Sequence, residues 1–476
     1  MKNKNTAGKE LKYEDLSLPG VEYSTIASRI GDAELSVLDI MAAAVLSGRT
    51  LLIVGHSEKG KSYIAKKIRD YWFGGKGNLI QAASLDEATE LFTQVFKEIS
   101  KEKATQIVLE EKLRYPFIFV DEVGAIPKGL QSQLWPIGDG ILNHKGEEFY
   151  LGVPLGEDRY FCYIACTNTL REEENGEYSN FGITKATASR FHLLLDTRRK
   201  LRRKTEDLVK IINSEDVDVR HAETKEVRDI TERIMEAYMQ IKEKSRNASI
   251  EERIALAYLT VGTGRCKKGQ RYEDDWQSQC MQCDENNERD CPAKYLFGYE
   301  MLRQTKNIRV FANALHYVAS LKSKELDGKV DAFDAVFEAA KFVIAGKYST
   351  MNELLRREKE LPDYDFIENA IEELKEEFNK VRPCIELSIE MARRYDKVVT
   401  QFYKEGDKMI PICREFFEEA GRRKHLKGDK LKRFVEECLR KVDGSILEPY
   451  NSDGYVDLSW VPELIAKALN KSKNGE

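Results

Sequence analysis

Three groups of residues in this chain have types and spacings that could do chemistry. The first is Gly55-His56-Ser57-Glu58-Lys59-Gly60-Lys61-Ser62, which fits G-x-x-x-x-G-K-[ST] at every position and follows the apolar run Leu51–Val54. Glycines let the backbone turn its N–H groups inward around phosphate oxygens, and a helix beginning at the lysine adds positive potential at its amino end. Lys61 then reaches the β and γ phosphates, and the Ser62 hydroxyl holds Mg²⁺. The second group is Asp121-Glu122, which ends the apolar run Phe117–Val120 and lies 60 positions after Lys61. Asp121 would ligate the metal or orient its shell, and Glu122 stands where a general base can polarise a water. Two acids after a strand can equally open a solvated loop, and it is the phosphate loop upstream that favours the chemical role. The third group is Cys266, Cys280, Cys283 and Cys291, spaced C-x13-C-x2-C-x7-C in a polar stretch at about 264–294 with no core of its own. Four thiolates around one ion could fold it. Zinc is the first choice; a 4Fe-4S cluster, which the final Cys-Pro suits, is the alternative, and free thiols are a third reading.

These groups need elements to place them. The runs "LLIVG", "FIFVDE" and "YFCYIACTN" read as buried strands separated by helical stretches, which predicts an α/β region with a parallel sheet. The helix after the phosphate loop should show Ile64, Ile68, Tyr71 and Trp72 on one face. Beyond about residue 200 strand signals fade, and runs such as "EVRDITERIMEAYMQIKEK" and "VFANALHYVASLKSKEL" place apolar residues at helical spacing. The expected organisation is a flexible arm over 1–20, an α/β nucleotide-binding core over 21–200, a helical region over 201–350 containing the four-cysteine stretch, and a helical C-terminal domain over 351–476.

The bulk composition bounds what else the chain could be. Its 476 residues, 42% hydrophobic and 33% charged, suit several folded domains with charged exteriors. The net charge of -5 gives no global positive field for nucleic acid. No apolar run is long enough to span a membrane, and nothing at the amino terminus resembles a secretory signal, so a cytoplasmic location and no membrane partner are expected. Nine cysteines in such a chain point to core thiols or a metal, not disulfides. Cys162 and Cys166, four apart on the third strand, read as packing thiols, as do Cys384, Cys413 and Cys438.

The order of these motifs resembles the AAA+ ATPases, and within them the MoxR-like group. The matching segments are "VDEVGAIPKGLQSQLW", "GILNHKGEEFYLGVPLGEDRYFCYIACTN" and "ASRF", over roughly residues 20–350. The resemblance implies an AAA+ P-loop core, a β-hairpin before the third strand, an all-helical lid, and ATP and Mg²⁺ as ligands. It gives Asn168 the sensor 1 role of positioning the attacking water. Arg190 becomes the arginine finger that completes a neighbouring subunit's site, and Arg309 the sensor 2 residue on the lid. It further implies a homo-oligomeric ring, commonly a hexamer, acting on a protein substrate or a von Willebrand A partner in a chaperone-like way. The four-cysteine stretch is an insertion relative to the family. Basic runs at 198–204 and 421–433 read as solvated faces, yet basic groups lining a ring could grip a phosphate backbone, so an ATP-driven nucleic-acid translocase or loader is the rival function.

Overall fold

A computed structural model of the chain describes residues 10–19, 21, 26–55, 60–81, 114–144, 147–168, 183–197, 228–259, 295, 298–326, 328–345, 347, 352–359, 364–376, 378–379 and 382. The chain forms two compact units. The first joins Met1–Asn247 to Val310–Gly346, and the second joins Ala248–Arg309 to Lys347–Glu476.

In the first unit a hairpin of β1 (Ile26–Ile30) and β2 (Ala33–Ser36) leads into α1 (Val37–Ser47), then β3 (Leu51–Val54), α2 (Lys61–Trp72), β4 (Gly77–Gln81) and β5 (Phe117–Asp121). A 3-10 segment (Lys128–Leu134) and α3 (Trp135–Asp139) precede two hairpins, β6 (Ile141–His144) with β7 (Glu147–Tyr150) and β8 (Val153–Leu155) with β9 (Asp158–Tyr160). Next come β10 (Cys162–Thr167), α4 (Lys185–Arg190), β11 (Leu193–Asp196) and α5 (Thr231–Arg246). In the second unit, α6 (Ile250–Ala257) is followed by α7 (Gly298–Leu326), of which residues 310–326 belong to the first unit, as does α8 (Ala332–Ile344); α9 (Glu353–Glu358) belongs to the second.

The five strands β11-β3-β10-β5-β4 form one parallel sheet in that order. Every residue of β3, β10 and β11 is buried, which is why these strands read as unbroken apolar runs in place of alternating ones. β10, which ends at Thr167 just before Asn168, lies between β3 and β5, so all three deliver their carboxyl ends to one edge. α2 buries Ile64, Ile68, Tyr71 and Trp72, the face expected from the sequence. Local signals fix the helix ends. Ser36 and Asp39 make a reciprocal capping box at the start of α1, and Gly48 ends it at φ 59° in the left-handed region that glycine adopts without strain.

The segment 10–19, expected to belong to a flexible arm, is tied down within the first unit. Its 3-10 turn Tyr13–Leu16 buries Asp15, whose two carboxylate oxygens accept from Arg228 and Arg233. Tyr13 donates to Asp39 Oδ1 at 2.8 Å. The unit boundaries also differ from the expected divisions at 200 and 350. α8 packs a largely apolar inner face, with Glu338 and Lys341 buried in it, on β1 and β11, so these late residues complete the first core. Within it, Lys341 bonds Glu338 at 2.8 Å, and Ser28 donates to the same carboxylate at 2.7 Å.

The second unit has an aromatic core of its own. Tyr258 meets Phe378 edge-on at 5.1 Å and Tyr295 meets Phe366 at 5.5 Å. Among the described residues, no helix is long and apolar enough to cross a membrane.

Candidate active site

Register along the sheet brings the carboxyl ends together: Val54 pairs with Thr167 and with Asp196, and Val120 pairs with Ala165, which leaves Asp121 level with Cys166. At this edge the Gly55 N–H donates to the Thr167 carbonyl at 3.2 Å, and Thr197 Oγ1 donates to the Val54 carbonyl at 2.9 Å. A Cβ at Gly55 would stand 1.9 Å from Thr197 Oγ1, so the start of the loop has room for glycine alone. Gly60 takes φ 75°, and α2 begins at the next residue. His56, Ser57, Glu58 and Lys59 lie outside the described residues.

The Lys61 side chain folds back over this edge. Its ammonium donates to the Gly55 carbonyl at 2.8 Å and to Asn168 Oδ1 at 3.2 Å, and the residue is 6% exposed. Burial lowers its pKa, against the pull of Cys166, Asp121 and Glu122, which favour the charged form. Ser62 Oγ donates to Asp121 Oδ2. Cys166 Sγ donates to the other oxygen, Oδ1, at 2.7 Å, and burial, followed by the nearby Asp121 charge, raises the pKa of that thiol and keeps it protonated. Hydroxyl and carboxylate oxygens are the hard donors that Mg²⁺ takes, and the two stand face to face beside a buried ammonium, so the residues present fit a magnesium–triphosphate pair.

Glu122 adopts φ 54° and is the one non-glycine residue with positive φ among those described. The turn that holds it there is short: Ala125 N–H donates to the Glu122 carbonyl at 2.8 Å. A long side chain in the left-handed region is strained, and strain of this kind collects at functional positions.

Arg190 ends α4, is exposed, and its guanidinium lies 4.5 Å over the Trp135 ring. Arg309 stands on α7, in the part that belongs to the second unit. Cys266, Cys280, Cys283 and Cys291, with Cys384, Cys413 and Cys438, lie outside the described residues; among those described, no group of three or more His, Cys, Asp or Glu could hold a metal ion.

Three residues in or near the site are not distinguished by the sequence reading. Cys166 packs as expected but also holds Asp121, and its place two residues before Asn168 on the same strand face is the signal for it. Thr197 and Gln131 act through contacts that no local pattern announces: Thr197 on Gly55, and Gln131 between Ile126 and Thr184.

No family model matches the chain, and no curated protein does. Among solved structures, that of a candidate ATPase from Cytophaga hutchinsonii is similar over 70% of this chain and 88% of its own, at 12% identity and a TM-score of 0.44.

Proposed function

We propose that the chain is an AAA+ ATPase of the MoxR-like kind, which hydrolyses ATP as a ring and spends the cycle on remodelling a protein or multiprotein complex. The observation that carries the reading is the meeting of Lys61 and Ser62, at the start of α2, with Asp121, at the end of β5, and Asn168, just past the end of β10, at one edge of a parallel sheet. The ring, the client and the group within the superfamily rest on the sequence resemblance.

In this reading Lys61 leaves Asn168 to hold phosphate oxygens, and the amide it releases orients the attacking water. Glu122 takes the proton of that water as it adds to the γ-phosphorus and the bond to the β-phosphate oxygen breaks, giving ADP and phosphate. Ser62 and Asp121 would hold Mg²⁺, which when bound supplies charge neutralisation on the phosphate oxygens. Arg190, exposed on its helix end, meets the charge that develops in the site of the adjacent subunit. By the resemblance Arg309 is the sensor 2 residue, and the four cysteines brace the insertion around zinc or a cluster.

Phosphate release from purified protein tests the activity. Glu122→Gln should lower turnover by about 10²- to 10³-fold while still retaining nucleotide. Unchanged turnover in that variant would sink the assignment. The same trapped variant, recovered from its host, should carry a polypeptide client; steep, salt-sensitive stimulation of the wild type by oligonucleotides would instead establish the translocase.

A further inference from the structure

The acids and the arginine helix are joined by one buried side chain. Gln131 is fully buried. Its Nε2 donates to the Ile126 carbonyl at 3.0 Å, at the end of the turn that follows Glu122. Its Oε1 accepts from the Thr184 N–H at 2.8 Å, at the cap of α4. The contacts continue towards Arg190. Thr184 Oγ1 accepts from the Thr187 N–H at 3.2 Å and bonds the Thr187 hydroxyl at 2.8 Å, and Trp135 Nε1 donates to that hydroxyl at 3.4 Å. The Trp135 ring then lies under the Arg190 guanidinium.

We infer that Gln131 is a positioning residue: its amide ties the backbone after Glu122 to the cap of α4 and so aims Arg190 at the neighbouring site. The inference rests on reading Arg190 as a residue that acts in trans. The physical need is plain. α4 has six residues, too few for a helix to hold its own direction, so its course is set by what grips its ends. A glutamine amide offers a donor and an acceptor in fixed relation, and here each reaches a different segment. An apolar side chain of the same size would fill the space and leave both segments ungripped.

Mixed rings test this, because a fault in a subunit's own site and a fault in the arginine it lends are complemented by opposite partners. Gln131→Met, which leaves the Ile126 carbonyl and the Thr184 N–H without the amide, should melt a few degrees below the wild type, keep its fluorescent-ADP affinity, and lose about 100-fold in turnover, as small misplacements of reacting groups do. Assembled with equal Glu122→Gln, whose Arg190 is intact, it should recover about a quarter of wild-type turnover, the share of interfaces at which random assembly in a head-to-tail ring pairs an intact site with an intact finger. With equal Arg190→Ala it should recover none. Recovery with Arg190→Ala and not with Glu122→Gln would place the fault in the subunit's own site and overturn the inference, as would undiminished turnover. If Gln131→Met does not fold, Thr187→Val removes a hydroxyl farther along the same chain of contacts without changing volume. It must show the same complementation with a smaller loss, and failure to do so overturns the inference. The control mixture of Glu122→Gln with Arg190→Ala separates the two readings: if it stays silent while the wild type is active, Arg190 does not act in trans and both fall together.

Discussion

The Lys61 ammonium lies 3.2 Å from Asn168 Oδ1, although 107 residues separate the two in sequence. In the proposed reading the two residues divide the work, the lysine binding the nucleotide and the amide serving turnover. Lys61→Ala should lose nucleotide affinity by at least about tenfold, since a buried charged donor is removed from the phosphates. Asn168→Ala should bind nucleotide as the wild type does and lose about 100-fold in turnover. Parallel titration and phosphate-release curves check this, and equal damage to both binding profiles would show that the two residues do not divide the work.

The left-handed backbone of Glu122 has a stability signature independent of catalysis. A non-glycine residue there costs about 1–2 kcal/mol. Glu122→Gly should therefore be at least as stable as the wild type in urea while inactive, whereas Glu122→Val should lose about 1–2 kcal/mol, because a β-branched side chain suits that region least. Similar stability for both variants would show that the turn relaxes freely.

Gly55 and Thr197 should couple. Gly55→Ala forces a Cβ to 1.9 Å from Thr197 Oγ1 and should cost about 1–3 kcal/mol together with nucleotide binding. Thr197→Ala alone loses a buried hydrogen bond, about 1 kcal/mol. The double variant should be more stable than the sum of the two losses allows, and a double-mutant cycle reads that difference directly.

Cys166 should reveal itself through magnesium. Cys166→Ala frees one oxygen of Asp121, and the magnesium concentration for half-maximal turnover should rise about tenfold, the usual effect of losing a group that orients a metal ligand. Cys166→Ser retains a donor and should restore the wild-type response. A rise shared by both variants would point to packing instead.

His316 should make stability depend on pH. Burial, then Lys244 with its ammonium 3.2 Å from Nδ1, push its pKa down to about 4, against a weaker opposing effect of Asp331. An unfolded histidine takes up its proton near pH 6.5, so the unfolded chain binds more protons between about pH 6.5 and 4. The contribution is thus complete above about pH 6.5 and is lost as pH falls towards 4, some 3 kcal/mol in all. Urea melts at stepped pH should show this slope in the wild type and a flatter one in His316→Gln.

The three strands, and the meeting of Lys61, Ser62, Asp121 and Asn168 beside their ends, were legible because each run of buried residues stops abruptly on polar ones within a few positions. β11 is not among those three strands, since its four residues are too short to separate strand from helix by period. The β1–β2 hairpin and β4 carry mixed, short patterns and escaped for the same reason. The attachment of residues 10–19 depends on Arg228 and Arg233, more than two hundred residues away, and no local signal encodes that pairing. Gln131 was hidden likewise: a glutamine in a polar stretch looks solvated until the turn after Glu122 and the cap of α4 meet on it. Of the site itself, residue types and chain order were visible, while the contacts that aim them were not.

The order of strands also sets a schedule for biosynthesis. Both neighbours of β3 lie far downstream, at Ile164–Thr167 on one side and Leu193–Asp196 on the other. At about 5–20 residues per second, translation leaves this wholly apolar strand without either flank for roughly 6 to 20 s or more. Until β10 emerges the four apolar residues of β3 have no strand to pair with, and that interval is when the growing chain is open to misassociation.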